Sequence, residues 1–227
     1  LDTIQKDTPI LTQLSLALLS LQHRSVHRKA YFTSSKKELW RSTLVDVLEI
    51  WNILPYICGT ILRRKYTSSV RGRNASVDDK SSSSNESYAS VLYDQLIKPF
   101  TVRPHQGNSP SVEKNFLTLF VLLHCDHGGG NASAHASHLV ASTLSDPYLT
   151  LCSGLSALAG PLHGGANADA LSFMVEMQKY CQERGNSASA EGLTECIASY
   201  TKRHLYEHKK IIPGFGHAVL RVVDPRV

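Results

Sequence analysis

Histidines beside glycines are the residues of this 227-residue sequence that are best suited to chemistry. Four of the eleven histidines lie between positions 124 and 138, and the second of them, His127, is followed by three glycines. His163 stands in Pro-Leu-His-Gly-Gly, and His217 ends Pro-Gly-Phe-Gly-His. An imidazole exchanges protons near neutral pH, and glycine lets the backbone approach a ligand closely. The repeated pairing therefore predicts a catalytic or binding site.

The glycines that follow His127 favour an anionic ligand. Residues 128–130 are expected to precede a helix, whose first backbone N–H groups form an anion site. His127 and these amides are thus predicted to hold a carboxylate. Two alternatives stay open. The H-x2-H…H-x2-H pattern also fits zinc, although the glycines leave its first pair on flexible backbone. His124, His135 and His138 also fit packing roles in a helical core.

His163 is expected at the start of a helix, in a glycine-rich connection. The positive end of a helix favours the neutral imidazole, whose N–H group can donate a hydrogen bond to an enolate-like oxygen as it develops. The alternative for His163 is a helix-capping role without chemistry.

A second glycine-rich loop, Ile211–Gly216, precedes His217, and Arg221 and Arg226 follow. Its glycines permit unusual backbone dihedral angles, so a planar ligand could lie on the backbone. Arginine binds carboxylate or phosphate through two parallel N–H groups. This arrangement predicts a keto-acid site, with histidine as the acid and arginine as the carboxylate clamp. The alternative is a turn followed by a charged surface stretch.

Helices must position these residues, because helical signals dominate and strand signals are almost absent. The predicted fold class is therefore all-α. Thr8-Pro9 and Ser145-Asp146-Pro147 are each typical of an N-cap followed by proline at the first helical position. Pro55 is expected to end or bend the helix that carries the apolar stripe Trp40, Leu44, Val47 and Trp51. Further helices are predicted at Phe116–Leu123, which is expected to be buried, and at Ala134–Leu144, Tyr148–Ala159, Ala168–Gln182 (Leu171, Met174, Val175 and Gln178 near one face) and Glu191–Tyr206.

Composition narrows the class of protein. A hydrophobic content of 42% fits a globular chain, and a net charge of +5 without a basic, aromatic-interleaved stripe favours an anionic small ligand over nucleic acid. The five cysteines form no CxxC pair, so no disulfide framework is predicted. No uninterrupted apolar run reaches about 18 residues, so no transmembrane helix is predicted. The serine-rich segment Thr67–Ser90 is predicted to be a mobile insertion.

The histidine and glycine blocks resemble the citrate synthase family in its eukaryotic mitochondrial form. The order, spacing and length of the blocks make the resemblance specific, and a weaker similarity extends back to Pro9–Leu21. The matching segments are His124–Leu139, Leu144–Leu149, Leu158–Asn167 and Ile212–Arg226.

The resemblance implies a mostly helical homodimer, in which each subunit has a large and a small domain. The family condenses acetyl-CoA with oxaloacetate and hydrolyses citryl-CoA to citrate and CoA, in the mitochondrial matrix. By resemblance, His163 steadies the enol of acetyl-CoA, and His217 protonates or polarises the oxaloacetate carbonyl. His127 and Arg226 bind oxaloacetate. The CoA-binding positions are Ile211, Ile212, Gly214, Gly216 and Arg221. No metal, further cofactor, nucleic acid or membrane is implied as a partner.

The same resemblance implies domain boundaries and shows where this sequence departs from the family's pattern. Residues 1–163, with the insertion 67–90, are expected to form part of the large helical domain, and 164–227 to continue into the start of the small domain. The family's catalytic aspartate would follow Val227, so the chain is expected to be a fragment that is inactive alone. Gly128 stands where mitochondrial forms usually carry glutamate. The alternatives are a 2-methylcitrate synthase, which uses propionyl-CoA, and a non-catalytic truncated homologue that dimerises.

Overall fold

Helices account for the regular structure in the computed structural model, which describes residues 4–66, 86–100, 110–125, 129–185 and 189–216. No strand occurs in these ranges, and the predicted all-α class is confirmed. The chain divides into two compact units, Leu1–Leu158 and Ala159–Val227. This division lies close to the predicted boundary after residue 163, and the assignment of the units to a large and a small domain stays a prediction.

The two units contain the following elements. The first holds α1 (Ile10–Leu21), α2 (Val26–Ala30), α3 (Leu39–Tyr66), α4 (Tyr88–Leu92), α5 (Pro110–Cys125), α6 (Ala132–Ser142) and α7 (Pro147–Leu158), with 3₁₀ turns at Gln22–Arg24, Lys36–Glu38 and Lys98–Phe100 and a π turn at Tyr93–Ile97. The second holds α8 (Ala166–Glu183), α9 (Ala190–Lys202) and a π turn at Arg203–Glu207.

The start of α7 follows the sequence rule for helix caps. Asp146 Oδ1 accepts hydrogen bonds from the N–H groups of Tyr148 (3.0 Å) and Leu149 (3.1 Å), and Pro147 occupies the first helical position. The predicted cap is therefore confirmed. The carboxylate and the proline together satisfy the N-terminal groups that the helix itself leaves unpaired.

The start of α1 differs from the prediction by one residue. Pro9, not Thr8, is the N-cap, because its backbone is extended (φ −53°, ψ 142°) and helical geometry begins at Ile10. Thr8 contributes through its carbonyl oxygen, which accepts a 2.7 Å hydrogen bond from Gln13 Nε2.

The core of the first unit joins α1, α3 and α7. Leu18, Ile61 and Tyr148 are completely excluded from solvent. Burying side chains of this size contributes about 1.5–3 kcal/mol each to stability. The full cluster of buried residues is Leu14, Leu18, Ile50, Ile61, Tyr148 and Cys152.

Pro55 does not end its helix as expected, because α3 continues without interruption from Leu39 to Tyr66. Proline lacks the N–H group that the carbonyl one turn earlier would accept, so the helix loses one hydrogen bond there. The Pro55 ring is fully buried. We attribute the continuation to packing on both sides of this position, since the buried residues Ile50 and Ile61 flank it.

The apolar stripe of α3 is not the buried face of that helix. Trp40 is 58% exposed and Trp51 is 42% exposed, whereas Ser42, Asp46 and Ile50 are buried. Hydrophobic periodicity points to the face with the larger side chains. The polar residues of the other face can be buried because they have hydrogen-bond partners inside the unit. Leu44 and Val47, the other members of the stripe, are about half exposed as well.

Asp46 is a buried polar residue of the first unit whose carboxylate has several hydrogen-bond partners. Its side chain is 0% exposed and accepts hydrogen bonds from Ser25 Oγ (2.6 Å), Val26 N–H (2.7 Å) and His27 N–H (3.2 Å). A carboxylate on α3 thus caps the first turn of α2. The His27 ring nitrogen Nε2 lies 3.2 Å from the carbonyl oxygen of Leu144. Because a carbonyl oxygen can only accept a hydrogen bond, the ring is the donor.

The helical stretch Lys36–Tyr66 is long and apolar enough to cross a membrane when length and composition alone are considered. The core helix of a folded unit meets the same criteria, and α3 carries core residues as well as the hydrogen-bonded Asp46. The expectation of no membrane partner stays a prediction.

Burial on two further helices differs from their apolar pattern, and the expectation that Phe116–Leu123 is buried was wrong. The helix predicted at Phe116–Leu123 forms within α5, but α5 has no buried residue among those described, and Phe116 is 65% exposed. On α8 the buried residues are Phe173 and Cys181, while the predicted face of Leu171, Met174 and Val175 is more than half exposed. An apolar face indicates that a helix packs against a partner, but it does not show that the partner lies within these residues.

The predicted insertion Thr67–Ser90 falls mostly outside the described residues. Its last part is ordered, because α4 begins at Tyr88 after the N-cap Ser87. The Tyr88 ring stacks on Trp51 with 4.3 Å between ring centroids, so α4 packs against α3.

Gly59 provides a test of packing in the first unit. A Cβ atom at this position of α3 would lie 2.8 Å from the carbonyl oxygen of Gln95, a backbone atom. Alanine normally stabilises a helix interior by up to about 1 kcal/mol relative to glycine. We expect Gly59→Ala instead to lower the free energy of unfolding by about 1–3 kcal/mol, because the π turn must shift. Chemical denaturation of the intact protein measures this.

Gly130→Ala is the matched control for Gly59→Ala, since among the described residues other than its chain neighbours no atom lies within 4 Å of the added Cβ. A stability of Gly59→Ala equal to or above that of wild type would contradict the expected overpacking.

The second unit has a small core between α8 and α9. Phe173, Cys181 and Cys196 are buried. Burial first, and then contact with Cys196, raises the pKa of the Cys181 thiol to about 11. The thiol therefore stays protonated and behaves as a small apolar side chain, as expected for cysteines in helical runs.

Candidate active site

The structure describes five of the nine predicted site residues. They are His163, Ile211, Ile212, Gly214 and Gly216, all in the second unit. The other four, His127, His217, Arg221 and Arg226, lie outside the described residues. Whether all nine meet in one site stays a prediction.

His163 lies in the turn that leads into α8. Its backbone N–H group donates a 3.0 Å hydrogen bond to the carbonyl oxygen of Gly160, and the residue is half-buried. Gly165 is the N-cap of α8 and makes no side-chain cap bond. The first N–H groups of a helix have no acceptor within it, and they carry partial positive charge. His163 therefore stands beside the end of α8 that favours an anion.

The first turn of α8 is acidic at only one place. Asp169 is the acidic residue there, and its N–H group donates to the Gly165 carbonyl oxygen at 2.9 Å, the first hydrogen bond of the helix. A carboxylate in the first turn stabilises the positive helix end by a few tenths of a kcal/mol up to about 1 kcal/mol. The N–H groups before Asp169 remain directed toward the turn that carries His163.

The loop Ile211–Gly216 turns sharply at Pro213-Gly214. The Phe215 N–H group donates to the Ile212 carbonyl oxygen at 3.3 Å, and Gly214 has φ +88°. Proline followed by a residue with positive φ is typical of a type II β-turn, which requires glycine at that second position. Gly216 also has positive φ, at +79°. The glycines predicted from sequence are therefore needed for backbone conformation.

Two apolar side chains of this loop are strongly exposed. Ile211 is 83% exposed and Phe215 is 80% exposed. Exposed apolar side chains beside accessible peptide groups offer a surface on which a planar ring can lie, with backbone groups for its edge. The geometry is compatible with the planar ligand predicted for this loop.

Contacts tie the loop to α8. A Cβ atom at Gly214 would lie 3.6 Å from Cβ of Ala170, so this part of the loop runs against the helix that His163 precedes. The structure thus brings the turn of His163 and the loop Ile211–Gly216 to the same helix within one unit. This is a contact that the sequence blocks did not reveal.

His204 supports the loop and was missed by sequence reasoning. Its Nε2 lies 3.2 Å from the Ile211 carbonyl oxygen, so the ring donates to that acceptor. The ring also packs edge-on against Phe173, with 4.9 Å between centroids. No motif pointed to His204, because its contact depends on the π turn at Arg203–Glu207.

Two described histidines of the first cluster have local roles. His124 Nδ1 donates to the Phe120 carbonyl oxygen at 2.7 Å, and its ring stacks on Phe120 with 4.1 Å between centroids. His138 is exposed, with its Cε1 3.7 Å from a Cβ built at Gly129. Within the described ranges no three His, Cys, Asp or Glu side chains form a metal-binding group. Since His127 lies outside those ranges, the absence of a metal stays a prediction.

Comparison with known proteins assigns the chain to a family. The model of the family described as "Citrate synthase, C-terminal domain" matches residues 1–227. The chain is 34% identical to a mitochondrial citrate synthase of Tetrahymena thermophila over 98% of its own length and 43% of that protein's. It is 36% identical to the mitochondrial enzyme of Saccharomyces cerevisiae over 100% of its length and 42% of that protein's.

A third relative is the citrate synthase of Saccharomyces cerevisiae named as peroxisomal, which is 34% identical over 100% of the chain and 44% of that protein's length. The chain therefore spans less than half the length of these curated relatives. The family match extends along the whole chain and includes the turn of His163 and the loop at Ile211. The chain belongs to the citrate synthase family.

Proposed function

We propose that this chain is part of a citrate synthase, which condenses acetyl-CoA with oxaloacetate and hydrolyses citryl-CoA to citrate and CoA. The observation that carries the proposal is the family match over residues 1–227. The position of His163 before α8, on the same helix that the loop Ile211–Gly216 contacts, supports it.

The proposed chemistry uses the N–H group of a neutral His163 imidazole. When a base removes a methyl proton from the acetyl thioester, negative charge develops on the thioester oxygen. A positioned N–H donor stabilises that charge more in the transition state than in the ground state. The family resemblance assigns the base to an aspartate outside these 227 residues.

The remaining roles concern oxaloacetate. The enol carbon attacks the keto carbon, and the keto oxygen takes up a proton, for which His217 is the proposed donor. His127 and Arg226 are the proposed partners of the oxaloacetate carboxylates, since arginine holds a carboxylate through two N–H groups. The proposed CoA contacts are Ile211, Ile212, Gly214, Gly216 and Arg221. No metal or further cofactor enters this proposal.

A homodimer in the mitochondrial matrix is the proposed assembly and compartment. Exposed apolar residues on α6 support dimerisation, among them Leu139 at 71% exposure. Small residues allow close packing of α6 on α7, because a Cβ at Gly154 would clash with Ser137 Oγ. The mitochondrial names of the relatives support the compartment. Sedimentation of the intact protein at the mass of one subunit would contradict the dimer.

The decisive test is release of free CoA thiol by the intact protein. We expect release with acetyl-CoA that requires oxaloacetate, and slower release with propionyl-CoA. Preference for propionyl-CoA would indicate a 2-methylcitrate synthase instead. A folded protein that releases no CoA with either thioester would overturn the enzymatic proposal and leave a non-catalytic family member.

A further inference from the structure

The end of α9 carries an unusual density of basic residues. Four of the nine residues 202–210 are Lys or Arg, two are His, and Glu207 alone is acidic. Cations at a helix C-terminus complement its dipole, but that dipole is equivalent to only about half a charge. The segment holds several times the positive charge needed to compensate the helix dipole. The excess charge indicates an anionic partner.

Backbone geometry folds this segment back on itself. The π turn Arg203–Glu207 is followed by Lys209 in the left-handed conformation, with φ +52°. The His208 N–H group donates to the Arg203 carbonyl oxygen, and that of Lys210 to the His204 carbonyl oxygen, each at 3.1 Å. π turns and left-handed non-glycine residues are uncommon, and both occur preferentially at functional sites.

The reversal encloses a polar cavity of about 280 Å³ in the second unit. Its lining residues are Glu176, Tyr200, Arg203, His204, His208 and Lys210. All but Glu176 can donate hydrogen bonds. Glu176 is already engaged, because Tyr200 donates its hydroxyl to Oε2 at 3.2 Å. Burial and then this bond raise the pKa of Tyr200, so the hydroxyl keeps its proton at neutral pH.

Donor groups at the mouth of this cavity are available for a ligand. Arg203 uses Nε for an ion pair with Glu207 at 3.2 Å. Within the part of the chain that the structure describes, its two terminal nitrogens and the side chains of His208 and Lys210 have no hydrogen-bond acceptor. A planar guanidinium edge, an ammonium and an imidazole N–H around one cavity match the oxygens of a phosphate group.

We propose that the cavity lined by Arg203, His208 and Lys210 binds a phosphate-type anion. The site lies next to the loop Ile211–Gly216, because Lys210 directly precedes Ile211. His204 does not supply a donor to the anion, since its Nε2–H group already serves the Ile211 carbonyl oxygen at 3.2 Å. Instead it joins the cavity to the start of the loop, so that an anion bound there also fixes the loop.

The test is binding of inorganic pyrophosphate to the intact protein, measured by isothermal titration calorimetry at low ionic strength. We expect Lys210→Gln to weaken binding about 3–10-fold, which is the range for one exposed charge-assisted contact. Lys179→Gln is the matched control, because Lys179 lies on α8, pairs with Glu183 at 3.9 Å and is outside the cavity. Added salt should weaken binding further, since exposed charges are screened.

Arg203→Gln provides a second variant with the same expected direction, and circular dichroism checks that α9 persists in both. Equal pyrophosphate affinity in wild type, Lys210→Gln and Lys179→Gln would overturn the proposal, and so would the absence of binding. The readout needs no turnover, so its failure would leave the proposed enzymatic function standing.

Two sources of the phosphate chemistry are distinguished by competition. Displacement of pyrophosphate by CoA would identify the substrate's own phosphate groups as the occupant. Pyrophosphate binding that persists at saturating CoA would identify a separate phosphorylated ligand. Either result supports the anion site, provided that Lys210→Gln weakens pyrophosphate binding.

Discussion

Replacing His163 with alanine in the intact protein is expected to lower kcat for CoA release about 10²–10³-fold, the usual cost of removing one oxyanion donor. The reason is the proposed role of His163, which lies in the half-buried turn before α8, as the donor to the developing negative charge. The measurement is thiol release at saturating acetyl-CoA and oxaloacetate. The KM for acetyl-CoA should change much less than kcat, because the interaction strengthens in the transition state.

Two companions separate a donor role from a structural role. His163→Gln keeps an N–H donor at the side-chain end and should recover part of the lost kcat. His23→Ala is the matched control, since His23 is exposed and its ring bonds to the nearby Ser20 carbonyl oxygen at 2.9 Å. Turnover of folded His163→Ala within threefold of wild type would remove His163 from the proposed mechanism.

Helix starts and the all-α class could be predicted because their signals are local. Asp146 and Pro147 lie next to the groups that they cap, and the glycines at positions 214 and 216 are required by the backbone at those same positions. Interactions of this range are visible in the sequence itself.

Helix faces could not be predicted, because burial depends on distant partners. Trp40, in the apolar stripe of α3, is exposed, whereas Asp46 is buried because Ser25 and two backbone N–H groups satisfy it. A polar residue is tolerated inside when its hydrogen bonds are made there. Those partners are about twenty residues away in the chain, beyond the reach of a periodicity argument.

The contacts that hold the candidate site together could not be predicted from the sequence for a similar reason. His163 and the loop Ile211–Gly216 were predicted from their motifs, but their common contact with α8 was not. Ala170 approaches the loop, and His204 holds its first carbonyl, only because α9 packs on α8 and ends in a π turn. No residue pattern in this chain predicts that turn, because the π turn spans ordinary helix-forming residues.

Asp46→Ala is expected to have the largest effect on stability, lowering the free energy of unfolding by about 3–5 kcal/mol. The substitution leaves the buried N–H group of His27 and the partly buried N–H group of Val26 without acceptors and removes the partner of the Ser25 hydroxyl. Each unsatisfied buried group costs about 1–3 kcal/mol. The loss of the cap on α2 also loosens His27, which holds the Leu144 carbonyl at the turn before α7. Urea denaturation followed by circular dichroism measures the change.

Asp94→Ala is the matched control for Asp46→Ala. Asp94 forms ion pairs with Lys98 (3.4 Å) and Lys114 (3.9 Å), but its side chain is 32% exposed. Ion pairs that solvent reaches contribute only about 0–1 kcal/mol, so this variant should stay close to wild type. Asp46→Asn should fall between the two, because its amide oxygen still accepts one hydrogen bond while its NH2 group faces other donors. If Asp46→Ala unfolds at the same urea concentration as Asp94→Ala, then α2 is held mainly by its apolar contacts, and the buried carboxylate is not its anchor.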